Sequence, residues 1–191
     1  MIPVIRTARL VLRALVEADA EAIFVARGDP EVCRYWSGPP HRDVEETRAS
    51  LHGVNQGKGS TTWAITGPLG DEALGWVTLM HVRDGVDELG YLLRKQQWGH
   101  GYAREGVAAV IGHAFEALGK HRLSADIDPR NHASIRLVRQ LGFVHEGLLR
   151  ENWLVAGERC DSVIYGLLVQ QWRASRAKAG ESRIDAPPPS G

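Results

Sequence analysis

The spacing of apolar residues changes period within one stretch, Asp87 to Leu118. Leu89, Tyr91 and Leu93 alternate with Glu88, Gly90 and Leu92, the two-residue repeat of a strand. Val107, Val110, Ile111, Ala114, Phe115 and Leu118 then fall at i, i+3, i+4, i+7, i+8 and i+11, one apolar stripe of a helix. The same reading extends in both directions. Upstream, Leu10 and Leu12 share one face of a strand, and Asp19 caps a helix through Ala22, Ile23 and Ala26 that Gly28-Asp29-Pro30 ends. Glu31 to Tyr35 reads as a helical turn, 36–41 as a loop, and Val44 to Leu51 as a second helix. Strands follow at 61–66 and 73–82, joined by a turn over 67–71. Downstream come a strand over Arg122–Asp128, a short helix over Asn131–Leu141 stopped by Gly142, a strand from Phe143, a turn at Ala156-Gly157 and a last strand over Glu158–Val169.

Between the central strand and its helix lies Gln96-Gln97-Trp98-Gly99-His100-Gly101-Tyr102-Ala103. Glycines there let the backbone approach a ligand closely, and the first N–H groups of the helix have no intrahelical acceptor. A strand, a glycine turn and a helix N-terminus in that order can hold a phosphate. A Walker loop needs Lys followed by Ser or Thr after its last glycine, whereas Gly101 precedes Tyr-Ala-Arg. A dinucleotide fingerprint needs G-x-G-x-x-G, whereas the position after Gly99 and Gly101 that should hold the third glycine is Arg104. What remains is Gln-x-x-Gly-x-Gly, which on its own is also compatible with an ordinary strand–turn–helix junction.

Composition narrows the class. With 191 residues, 43% of them hydrophobic, the chain reads as one globular domain over 1–173, followed by a charged, proline-ended segment over 174–191 expected to be disordered. Lys plus Arg equals Asp plus Glu at 23 each, so no bulk positive field points to nucleic acid or an anionic membrane. Cys33 and Cys160 are too few for a disulfide scaffold and fit a reducing compartment. Arg6, Arg9 and Arg13 interrupt the N-terminal apolar run, which excludes a signal peptide there, and no segment reaches the ~20 apolar residues of a membrane span. A cytoplasmic protein is expected. The eight histidines show no metal-binding spacing, so no metal is expected either.

The order β, α, α, β, β, β, α, β, α, β, β and several separate motifs resemble the GNAT N-acetyltransferases, in particular their RimJ/RimL-like branch. The resembling stretches are Thr7-Ala8-Arg9-Leu10-Val11-Leu12-Arg13, Leu89-Gly90-Tyr91, Trp98 to Glu105, Asn131-His132-Ala133-Ser134 with Leu141-Gly142-Phe143, and Arg159-Cys160-Asp161. The resemblance implies a mixed α/β fold: a twisted, mostly antiparallel sheet with a splayed central strand and flanking helices.

It also implies roles. Acetyl-CoA would be the co-substrate, its pantetheine pairing with the backbone at Tyr91, Leu92 and Leu93. Its pyrophosphate would lie on the loop Trp98, Gly99, His100, Gly101, Tyr102 and Ala103. Asn131 would sit beside the pantetheine, its amide both donating and accepting. Glu88 would relay the proton of the acceptor amine, directly or through water, and contact the acceptor. Many of these enzymes protonate the departing thiolate with a tyrosine. Here that position is Val138, so Ser134, which matches the serine of RimL-like relatives, takes the role by resemblance and also contacts the cofactor. Tyr35 and Trp36 would line the acceptor site, with His41 a further rim candidate. The acceptor implied is the α-amine of a protein N-terminus. The alternatives are a small amine (amino acid, polyamine or antibiotic) and a non-catalytic acyl-CoA-binding module. A compact polycation is disfavoured because Glu45-Glu46 is the only acidic pair near that rim. Nothing in the sequence separates a monomer from a homodimer.

Overall fold

The computed structural model describes residues 2–57, 59–67, 70–155 and 157–184, with the backbone alone for 178–184. The strands are β1 (Ile5–Arg6), β2 (Val11–Ala14), β3 (Ser60–Thr66), β4 (Ala73–Arg83), β5 (Val86–Leu93), β6 (Arg122–Ile127), β7 (Val144–Val155) and β8 (Glu158–Leu168). The helices are α1 (Ala20–Arg27), α2 (Val44–Leu51), α3 (Tyr102–Glu116), α4 (His132–Gln140) and α5 (Val169–Ile184). All eight strands form one sheet in the order β1-β2-β3-β4-β5-β6-β8-β7. Every neighbouring pair is antiparallel except β5 and β6. A parallel pair needs a crossover, and α3 supplies it.

Each face of the sheet buries its own cluster. Leu10, Leu12, Trp63, Val77, Leu79, Leu89, Val107, Ile111 and Phe115 are among the residues of the larger one, so the stripe read from the sequence packs on the strands from Val107 to Phe115, while Leu118, beyond the end of α3, is exposed. On the other face, Leu15, Ala20, Ile23, Leu51, Ala64 and Ala73 join α1 and α2 to the first strands. This second layer stops short. Toward β7, Met80, Leu149 and Trp153 remain exposed.

The β5–β6 seam is short. Val86, Asp87 and Glu88 pair with Arg122, Leu123 and Ser124, and there the pairing ends. Beyond it β5 continues along β4 as far as Leu93 opposite Gly75, while β6 continues along β8 as far as Ile127 opposite Val163. The two halves of the sheet therefore diverge after Glu88. Gly75 accommodates the bend: a Cβ there would lie 2.8 Å from the Leu93 Cα and against the Leu92 carbonyl oxygen. Backbone groups of alternate residues after Glu88 face the gap without a strand partner.

Two expectations need correction. Within the segment expected to be disordered, the described backbone after Arg173 is helical as far as Ile184. α5 runs to Ile184, because Trp172 is buried against Phe115, 5.4 Å between ring centroids, and anchors a run of Ala, Arg, Lys and Glu with high helix propensity. Residues 185–191 lie outside the described set, as do Pro68 and Leu69 of the 67–71 turn and Ala156 of the 156–157 turn. The second correction is local. Asp19 precedes α1, but its side chain accepts from Arg13, at 2.7 and 2.8 Å, and from the Val16 N–H at 3.0 Å instead of capping that helix.

Candidate active site

The phosphate-type junction forms as its glycines demand. Gly99 and Gly101 have φ of 77° and 76°, the left-handed region that a side chain disfavours, and Gly101 is the N-cap of α3. Among the described residues, the N–H groups from Gly99 to Ala103 have no protein acceptor. The loop is fixed from both sides. The Trp98 indole N–H donates to the Leu93 carbonyl at 2.8 Å, and Arg9 Nη1 donates to the His100 carbonyl at 2.9 Å. Glu105, in the first turn of α3, accepts from Thr7 Oγ1 at 2.6 Å and from the Arg9 backbone N–H and Nε at 2.9 and 2.7 Å. Burial alone would raise the Glu105 carboxyl, but these donors hold it below the ordinary value.

A groove of about 850 Å³ runs from this loop along the open side of β5, between α3 and α4. Tyr91, Leu92, Leu93, Trp98, Gly99, Gly101, Tyr102, Ala103, Asn131 and Ser134 all line it. His100 does not. Its ring stacks against Tyr102, 5.7 Å between centroids, so only its backbone belongs to the loop. Arg34, Arg104 and Arg136 also line the groove, and its one carboxylate among the described residues, Glu31, is paired with Lys95. The groove is basic. A row of free N–H groups, a strand edge without a partner and three guanidinium groups fit a long ligand carrying phosphates and amides, which describes acetyl-CoA.

A second cavity, of about 250 Å³, opens where β5 and β6 part. Glu88, Asp126, Asp128 and Asp161 line it, together with Tyr35, Trp36, Met80 and Trp153, and among the described residues no Lys, Arg or His does. This cavity is acidic. The Glu88 side chain is half-buried and its carboxylate makes no hydrogen bond among the described residues. Burial first, and the Asp126 carboxylate second, raise its pKa above the ordinary value. Asp126 accepts from the Trp153 indole N–H and from Asn152 Nδ2, both at 3.0 Å. Burial would also raise Asp128, but Arg130, donating at 2.6 and 2.9 Å, holds it low.

The two spaces meet. Tyr35, Trp36, Tyr91, Asn131 and Ser134 line both. Asn131 Oδ1 caps α4 through the Ser134 N–H at 3.1 Å, and its amide nitrogen makes no hydrogen bond among the described residues, so capping and ligand binding are compatible. Ser134 Oγ is likewise unengaged among the described residues, while its carbonyl accepts from the Tyr91 hydroxyl at 3.4 Å. Burial pushes that phenol up to about 12, which keeps it neutral.

Sequence reasoning missed the acidic lining. Part of the signal was in the sequence: Leu123, Ala125 and Ile127 on the core face of β6 put Ser124 and Asp126 on its other face, and the observed pairing of Ser124 with Glu88 makes that the face of Glu88. Asp161 lay inside a motif that carried no role. His41 turns out to belong elsewhere: it lines neither space and bonds Thr47 and Arg27, each at 2.9 Å, between α1 and α2.

Residues 9–144 match the acetyltransferase (GNAT) domain family. The chain belongs to the GNAT acetyltransferases. The uncharacterised N-acetyltransferase p20 of Bacillus licheniformis is 31% identical over 172 residues, 87% of this chain and 96% of that protein. A structure from T. thermophilus assigned as an acetyltransferase superposes with a TM-score of 0.81 at 32% identity, covering 96% of this chain and 98% of the other. The Vibrio cholerae spermidine N-acetyltransferase, solved with CoA and spermine, shares the fold with a TM-score of 0.77 at 20% identity, covering 87% and 99%. This GNAT protein is therefore an acetyl-CoA-dependent N-acetyltransferase. Among the described residues no group of His, Cys, Asp and Glu is arranged to hold a metal, and no helix is long and apolar enough to cross a membrane.

Proposed function

We propose that this GNAT enzyme acetylates the α-amine of a protein N-terminus by direct attack in a ternary complex. One observation carries the reading: a basic groove and an acidic cavity share a wall at Tyr35, Trp36, Tyr91, Asn131 and Ser134. A polyanionic acyl donor and a cationic amine would be sorted by charge and meet at that wall.

Each side chain then has a task. Acetyl-CoA supplies a thioester carbonyl. The acceptor enters as an ammonium, which cannot attack until it loses a proton. Glu88, unengaged and raised above an ordinary carboxylate, takes that proton directly or through a water. Free β5 N–H groups beyond Glu88 stabilise the oxyanion that forms on attack. Ser134 Oγ, without another partner, donates to the departing thiolate, and the Asn131 amide holds the pantetheine. Leu92, Leu93 and the Trp98–Ala103 backbone hold the rest of the donor. Tyr35 and Trp36 close the acceptor side with apolar surface.

The N-terminal motif from Thr7 to Arg13 supports placement in the RimJ/RimL-like branch and hence a cytoplasmic role. The apolar sheet surface around Met80, Leu149 and Trp153, left uncovered beside the cavity, supports an extended peptide as acceptor. A second reading has its own support. Four carboxylates suit a small polyamine, and the V. cholerae relative is named for spermidine. Release of CoA thiol with a panel of N-terminal peptides, amino acids and polyamines decides between them. Turnover of polyamines with none for peptides would overturn the first reading.

A further inference from the structure

Thr7, Arg9 and Glu105 hold the phosphate loop in place without lining the groove, although Thr7 and Glu105 lie 98 positions apart. Arg9 is the hub. Its Nη1 donates to the His100 carbonyl, Nε and Nη2 grip the Glu105 carboxylate at 2.7 and 2.6 Å, and its guanidinium carbon stands 4.9 Å over the Tyr102 ring. In a trans peptide the carbonyl of one residue and the N–H of the next point in opposite directions. With the His100 carbonyl held toward Arg9, the Gly101 N–H must point away from Arg9. Gly101 lines the groove, and among the described residues that N–H has no protein acceptor.

We propose that Arg9 is a positioning residue for the acyl-CoA site. It sets the plane of the His100–Gly101 peptide so that its N–H faces the phosphates, and it neutralises Glu105, a carboxylate one turn from where those phosphates lie. This rests on the acetyl-CoA reading of the groove. Arg9 touches no substrate; it acts through the loop. A guanidinium is required because one planar fork reaches a carboxylate and a carbonyl at once, which a lysine ammonium cannot do with the same geometry.

Titration of the full chain with CoA, alongside steady-state kinetics, tests the proposal. Arg9→Met should weaken CoA binding about ten- to a hundredfold, the loss expected of charge-assisted hydrogen bonds. It should raise KM for acetyl-CoA while kcat at saturation stays within about twofold. Arg9→Lys should recover little. Adding Glu105→Gln to Arg9→Met should restore part of the affinity, because the bared carboxylate is gone. Unchanged CoA affinity in a folded Arg9→Met variant, or a loss confined to kcat, overturns the proposal. Should Arg9→Met fail to fold, Arg9→Lys carries the test, since it keeps the charge and the Thr7–Glu105 bond; wild-type affinity in that variant overturns it equally. Failure of the wild-type chain to bind CoA would instead sink the acyl-CoA reading of the groove and this proposal with it.

Discussion

Glu88 stands in an electrostatic conflict whose two consequences have opposite sign. Acting as a base requires the ionised form, whereas burial and the Asp126 carboxylate favour the protonated one. The acid limb of kcat/KM should therefore lie above that of an ordinary carboxylate, and Asp126→Asn should move it to lower pH; a pH–rate profile of the two proteins checks this. For stability, a carboxyl raised above its ordinary 4.5 contributes fully below that pH, and the contribution is lost as pH rises through the folded-state value. At neutral pH the ionised side chain is a cost. Glu88→Gln should thus raise Tm at pH 7 while it lowers kcat, and a variant that loses stability and keeps activity would remove Glu88 from the chemistry. Ser134→Ala should act on kcat with little change in KM for acetyl-CoA, because its proton is needed only as the C–S bond breaks. General acids contribute ~10²–10⁴-fold, and a thiolate leaves tolerably unaided, so the low end applies. Equal kcat in Ser134→Ala would make the serine structural.

At the scale of elements, the splay of β5 is the feature on which both spaces depend. Gly75 permits it, since a Cβ there would collide with the backbone at Leu92 and Leu93. Gly75→Ala should therefore weaken CoA and lower Tm together, a pairing that titration and thermal melts can detect; a change in Tm alone would detach the bend from the site. The other end of the chain gives a cleaner stability test. Trp172→Ala empties a buried position against Phe115 and should cost about 3 kcal/mol in a denaturant titration. Removal of everything after Arg173 leaves that contact intact and should cost far less. The contrast explains what the sequence could show. The strand–helix change of period at β5 and α3 is a local signal, so both elements and their glycine loop were legible. The composition of α5 resembles that of a solvated tail, and one buried tryptophan turns it into a helix. The acidic cavity was not legible because β5, β6, β8 and the segment after β6 each contribute one carboxylate. Only the strand register brings Glu88, Asp126, Asp128 and Asp161 together.

At the scale of the molecule, a formal net charge of zero conceals a separation of charge. Arg34, Arg104 and Arg136 line one space and four carboxylates the other, across a shared wall. Pairing tempers the acidic side only at Asp128, which Arg130 neutralises; Glu88, Asp126 and Asp161 make no ion pair among the described residues. The earlier expectation that a polycation would be disfavoured for want of acidic residues loses its premise here. An acceptor should gain from a second positive charge near its amine. Among N-terminal peptides of equal length, one with Lys or Arg close behind the α-amine should be acetylated faster than the same peptide with Asp or Glu there. The gap should lie mainly in kcat/KM, because attraction of the ammonium precedes chemistry. It should narrow as salt rises, since at 0.1 M the screening length is only about 10 Å. Asp161→Asn is the informative variant: it removes one of those carboxylates without touching Glu88 or its neighbour Asp126. It should reduce the Lys-over-Glu preference and leave the pH at which activity falls on the acid side unshifted. A preference that persists undiminished in Asp161→Asn would move peptide selection away from this wall of the cavity, to the open sheet surface around Leu149 and Trp153.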